Sequence, residues 1–193
     1  MKFSAARQYQ NRLLFPIALT ALGVITALAG KSVQGQAADT MPSYQPDASI
    51  AEIMDSIVMP SADALWNAVV VNYTQDGLEE SKPETDEDWA KLRWSAVNLA
   101  EATNLLQMPN RHVAPPGTEP AQPGYELTPD QMQALIDGNR TAWMARAIVL
   151  HDIALQTISI IDKHDVDGLA EIGGAIDEAC ESCHMQFWYP DQK

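Results

Sequence analysis

From about residue 49 onward the apolar positions recur at intervals of three and four, the spacing that gathers side chains on one face of an α-helix, and breakers divide the pattern into four segments. The first begins near Ser49, whose hydroxyl and Glu52 form a Ser-x-x-Glu capping box. Its inner stripe is Ile50, Ile53, Met54, Ile57, Ser61, Leu65 and Ala68, and Pro60 should kink the helix or divide it. The second opens at Thr85, carries Asp86, Glu87 and Asp88 where they complement the helix dipole, and continues through Trp89, Leu92, Ala96, Leu99, Thr103 and Leu106. It stops at Met108-Pro109. Residues 109–125 then hold Pro109, Pro115, Pro116, Pro120 and Pro123 with two glycines, an extended connection. The third segment has Thr128 as cap, Pro129 at its first position and Gln131 in the capping-box place. It is expected to run unbroken to about Lys163, with Met132, Leu135, Ile136, Asn139, Trp143, Ala147, Leu150, Ala154, Thr157 and Ile161 inward, and with Gly138 as a weak spot only. A tight turn at 164–167 leads to a fourth helix whose face holds Leu169, Ile172, Ile176, Cys180, Cys183 and Phe187.

This pattern predicts an all-α fold: an antiparallel four-helix bundle with a long Pro-rich connection between helices two and three. No strand, internal repeat or low-complexity tract is read. The N-terminus has the pattern of an export signal: a basic stretch through Arg12, an apolar run from Leu13 to Ala29, and small residues around Gly35-Gln36-Ala37-Ala38. Residues 1–37 are therefore read as a cleaved signal peptide and 38–193 as a single domain. The apolar run is only a little shorter than the roughly 18 residues of a bilayer-spanning helix, so a retained anchor is the second reading. Nothing later is read as long and apolar enough to span.

Charge narrows the partners. The chain carries a formal −14, and loss of residues 1–37, which hold four basic and no acidic residues, leaves eight basic against 26 acidic ones, or −18. Such a surface repels nucleic acid and anionic lipid and suits a partner with a basic face.

The candidate chemistry lies on the fourth helix. Cys180-Glu181-Ser182-Cys183-His184 is a Cys-x-x-Cys-His sequence, the attachment signal of c-type haem. Residues three apart share a helix face, so both thiols can reach the two vinyl-bearing edges of one porphyrin while His184 turns its imidazole to the iron. A redox disulfide belongs instead near a strand–helix junction. A zinc site would need its other ligands from the scattered His112, His151 or His164.

Together these features resemble the cytochrome c prime family, including its Met-ligated, low-spin relatives. The likeness is carried by Gly173-Gly174-Ala175-Ile176-Asp177-Glu178-Ala179-Cys180-Glu181-Ser182-Cys183-His184 and by Ile53-Met54 through Pro60-Ser61-Ala62-Asp63-Ala64-Leu65-Trp66, which is similar to the first helix of exported bacterial haem proteins of that kind. The resemblance implies a periplasmic protein with one covalent haem c, His184 as proximal ligand, and a first-helix residue facing the open side of the iron. Met54 matches that position. Met59 does not, because Asp55, Ser56, Ala62 and Asp63 surround it on a mostly polar face. Two departures stand out: Phe187 fits the aromatic place three after the histidine, but Trp188 takes the place of a basic residue, and the Pro-rich connection is longer than in relatives.

Further candidates are Arg93, Arg140 and Arg146 as propionate partners, His151 as an alternative sixth ligand, and Trp66, Trp89, Trp94 and Trp143 as core or near-core aromatics. The acidic runs read as solvated charge. Three functions follow. A six-coordinate His/Met iron makes an electron carrier. An iron left open by Met54 makes a protein that binds or senses nitric oxide or carbon monoxide. An enzyme such as a peroxidase needs a distal general acid, which Ile50, Ile53 and Ile57 do not offer. Electron transfer is the leading expectation, with no enzyme activity assigned. The resemblance leaves a homodimer open, and membrane association follows only if the N-terminal segment is retained.

Overall fold

The computed structural model describes residues 44–75 and 77–190, so the expected signal segment lies outside the described residues. The described chain is mostly helical, with one two-stranded sheet. Its elements in order are α1 (Ile50–Ile53), a π-helical turn (Met54–Val58), α2 (Met59–Trp66), β1 (Val70–Thr74), β2 (Gly77–Ser81), α3 (Asp86–Leu106), α4 (Pro129–Gly138), α5 (Arg140–Ile161) and α6 (Val166–Phe187).

Local chemistry sets the helix starts. Ser49, Thr85 and Thr128 each accept the backbone N–H of the residue three ahead, and Glu52, Asp88 and Gln131 reach back to the cap N–H. Each reciprocal pair satisfies two donors that the first turn leaves without helical partners.

Pro60 is accommodated differently from expectation. The run Ile50–Trp66 stays helical, but it widens into a π turn in which the N–H of Met59 donates to the carbonyl of Met54, five residues back. Pro60 then falls in the first turn of α2, where its missing N–H costs nothing. The extra residue in that turn slips the register. Val58 and Ala62 become buried, although Ala62 was assigned to the polar face, while Met54 and Ile57 are half-buried.

Three other expectations are corrected. First, residues 70–81 form an antiparallel hairpin, pairing Val70 with Ser81 and Thr74 with Gly77, where no strand was expected. Gly77 sits at φ 128°, a conformation that glycine alone adopts readily. Second, the third helix is two helices: Asn139, at φ −130° and ψ 40°, separates α4 from α5. Gly138 lacks a side chain to pack and Asn tolerates non-helical backbone, so the chain bends there. Third, α5 is itself long and apolar enough by composition to cross a bilayer, with a mean hydropathy of 1.4 over its most apolar window. Its inner stripe, Trp143, Ala147, Leu150, Ala154, Thr157 and Ile161, is buried, and α5 packs against both α3 and α6.

Named contacts fix the directions of the long helices. At one end the Trp143 indole N–H donates to the Leu106 carbonyl (2.9 Å), and the Trp143 ring meets Phe187 edge-on at 5.3 Å. This joins the end of α3, the start of α5 and the end of α6. At the other end Trp66 donates to the Gly173 carbonyl (3.0 Å), Arg93 pairs with Asp162 (2.7 Å), and Trp89 stacks on His164 at 4.7 Å. α5 therefore runs antiparallel to both α3 and α6, as the short turn between α5 and α6 requires of that pair.

The Pro-rich connection between α3 and α4 is tied down at the Leu106 end. The carbonyls of His112 and Val113 accept the N–H groups of Ile50 and Ala51 (2.9 and 2.8 Å), satisfying donors at the start of α1. Arg111, only 7% exposed, donates to the carbonyls of Ala48 and Leu105 and to the Met108 sulfur. Arg111→Ala removes this clamp of charge-assisted bonds and the packing of a buried side chain, although Ala48 is exposed and the Leu105 carbonyl keeps the Met108 N–H, and is expected to destabilise the protein by about 1–2 kcal/mol. Urea unfolding measures it; a loss below about 0.5 kcal/mol, the level of an ordinary surface change, would show that the clamp contributes nothing.

Candidate functional site

Cys180, Cys183 and His184 lie on the last two turns of α6, at the end of the molecule where α1 and α5 begin and α3 ends. Both thiols are free and half-buried against the core. Burial pushes Cys180 up to about 11, helped by the nearby charge of Asp177, and Cys183 up to about 12, against the opposing pull of Arg146. A redox dithiol is activated in the opposite direction, typically at a helix N-terminus that favours thiolate. These two sit near a C-terminus, protonated and poorly nucleophilic. The geometry thus speaks against a disulfide exchanger.

A zinc centre is also disfavoured. Among the described residues no three His, Cys, Asp or Glu side chains gather where a bare ion could sit. Haem makes no such demand, since its porphyrin supplies four of the iron's ligands and the protein need add only axial ones. Two sulfurs on one helical face followed by an imidazole are a donor set that fits it.

His184 is half-buried, and burial lowers its pKa, with the charge of Glu181 opposing. The ring is therefore kept neutral, the form that can ligate a metal. Trp188 meets it edge-on at 5.0 Å and Tyr189 lies tilted at 6.1 Å. The Tyr189 hydroxyl donates to a Glu181 oxygen at 2.6 Å, and burial together with Glu181 raises the phenol above its usual range. The connection closes over this corner: the Leu127 N–H donates to the Trp188 carbonyl (3.0 Å), and Tyr125 lies 5.7 Å from Tyr189. A shallow apolar groove of about 410 Å³, lined by Leu127, Leu135 and Pro190 among others, lies beside it.

Met54 belongs to the same end. Trp66 touches Gly173; Met54 lies 12 residues before the first and His184 11 after the second along antiparallel helices, so each is displaced roughly 16–18 Å in one direction. Met54 is half-buried against the core, whereas Met59 is exposed, as the sequence pattern predicts.

The remaining candidates separate by position. Arg146 lies close enough to influence Cys183 and donates to Gln186 (3.0 Å), and Arg140 donates to the Gln107 carbonyl at the same end. Arg93 is engaged with Asp162 at the far end and is removed as a propionate partner. His151 sits beside Asp152 on α5, half-buried, and His164 is stacked on Trp89 far from the thiols. Trp89 and Trp143 are buried, but Trp94 is 63% exposed, correcting its assignment to the core.

No protein-family model, curated protein or solved structure matches this chain. Motif and geometry carry the functional reading.

Sequence reasoning overlooked Tyr125, Tyr189 and Glu181, and treated Trp188 only as a departure. The signal available was the aromatic triplet Phe187-Trp188-Tyr189 close after the Cys-x-x-Cys-His run.

Proposed function

We propose that the mature chain is an exported, periplasmic c-type cytochrome, a four-helix bundle of the cytochrome c prime kind that transfers electrons through one haem c. Cys180 and Cys183 anchor the group through their sulfurs, His184 is the proximal ligand and Met54 the distal one. When bound, the haem supplies a one-electron iron couple. The observation that carries the reading is the Cys-x-x-Cys-His run on one uninterrupted helix, its thiols turned to the core and its histidine at the same end as Met54.

The chain's own residues have definite tasks in this scheme. Trp188 and Tyr189 keep water from the imidazole and hold it neutral. Trp143 and Phe187 pack the ends of α5 and α6 into a rigid floor. Arg146, beside Cys183, is the cation available for a propionate. Met54 offers a thioether from a half-buried position, and a filled sixth position suits a carrier rather than a gas binder.

Spectra of the haem-loaded protein test the distal ligand. The parent is expected to show a methionine-to-iron charge-transfer band when ferric and no response to carbon monoxide when ferrous. Met54→Ala should lose the band and bind carbon monoxide rapidly. If the parent binds it just as fast, Met54 is off the iron, and a five-coordinate protein binding nitric oxide or carbon monoxide is the better description.

A further inference from the structure

The rings at the end of α6 form a continuous strip from solvent to the proposed proximal ligand. Tyr125 is 46% exposed and lies 5.7 Å from Tyr189; Tyr189 lies 5.3 Å from Trp188; Trp188 meets His184 at 5.0 Å. The strip is held in place from two sides, by the Glu181 carboxylate on Tyr189 and by the Leu127 N–H on the Trp188 carbonyl. Met185, 44% exposed, and the apolar groove lined by Leu127, Leu135 and Pro190 border it. Asp177, Glu178 and Glu181 are exposed on this part of α6, with Arg146 of α5 bonded to Gln186 and lining a groove with Glu178. An apolar, aromatic centre whose exposed rim on α6 is negative is the composition of a transient docking patch, and the sign of that rim selects the partner.

Resting on the haem reading above, we infer that Tyr125, Met185 and Tyr189 form the docking face for a basic one-electron redox protein, and that Trp188, half-buried behind them, is the side chain through which the electron reaches His184. The reduced partner would give up one electron, which a haem iron held at Cys180, Cys183 and His184 would accept; no bond would form or break and no proton would move. The acidic rim draws the partner in, and the rings shorten the gap once it has docked. The hairpin and the start of α3 are also acidic, with Glu79, Glu80, Glu84 and Glu87, but they lie at the other end of the helices, remote from His184.

Two measurements test the assignment. In the first, hexaamminechromium(III), a paramagnetic trivalent cation, is added to the full mature chain, and NMR line broadening maps where it resides. Tyr125, Met185 and Tyr189 should broaden first, and this readout does not depend on haem. In the second, hexaammineruthenium(II) reduces the ferric protein in a stopped-flow instrument at low ionic strength. D177N/E178Q/E181Q should slow that reaction about tenfold, with the difference vanishing at high salt. The control E79Q/E80Q/E84Q should change it less than about twofold. Trp188→Leu should slow it at every ionic strength while leaving the broadening map unchanged. A red protein whose broadening maps to the hairpin, or in which the control triple slows reduction as much as the first, would overturn the docking face. Equal rates for Trp188→Leu and the parent would overturn the route. A colourless protein with the expected map would sink the haem reading alone.

Discussion

Protein matured in an oxidising compartment with haem-ligation machinery is expected to carry one covalent haem per chain, and C180A/C183A none. This is the largest effect anticipated, because each sulfur would contribute a bond that nothing else in the chain can replace: Cys180 and Cys183 are its only cysteines. Intact-mass measurement decides it, since the parent should exceed the bare polypeptide by one haem and the double variant should match it. Single variants should keep one bond and lower the yield. The helices should survive in the double variant, because Ile176, Ala179 and Phe187 still bury α6 against its neighbours. A parent chain of bare polypeptide mass, produced with working machinery, would leave a helical protein whose purpose is open.

The second large effect concerns Trp143. Its ring is 4% exposed, its indole N–H donates to Leu106 and its edge meets Phe187, so one side chain joins α3, α5 and α6 next to the cysteines. Trp143→Ala should cost about 3–5 kcal/mol, the range for deleting a buried aromatic. Trp143→Phe retains ring contact but leaves the Leu106 carbonyl without its donor, and should cost about 1–2 kcal/mol. Denaturant unfolding of both variants distinguishes them. A loss under about 1 kcal/mol for the alanine variant would mean that the three helices are held together elsewhere.

Legibility followed the range of the interactions. Ser49 with Glu52, Thr85 with Asp88 and Thr128 with Gln131 act within four residues, so their helix starts could be read from the chain. That Cys180, Cys183 and His184 share one helix was legible for the same reason, as it depends on the helical period alone. The hairpin was missed although Val70–Thr74 is rich in strand formers and Asp76-Gly77 is a turn signal, because its strands are almost wholly exposed and bury no alternating apolar face. The π turn was missed because a proline's cost within a helix depends on whether the preceding turn can widen. The slip it introduces moved Ala62 from the polar face into the core.

By itself, then, the sequence determined the helix starts, the stripes that α3, α5 and α6 bury, and the placing of the Cys-x-x-Cys-His run on one helix, since all of these come from bonds or periodicities within a few residues. Tertiary structure alone decided that Arg111 clamps Ala48 to Leu105, that the Pro-rich connection closes over Trp188 and Tyr189, that Arg93 lies far from the cysteines, and that Met54 shares an end with His184. These join residues from six to more than a hundred positions apart. Their pairing depends on how helices of particular length and direction meet, and no local pattern encodes that.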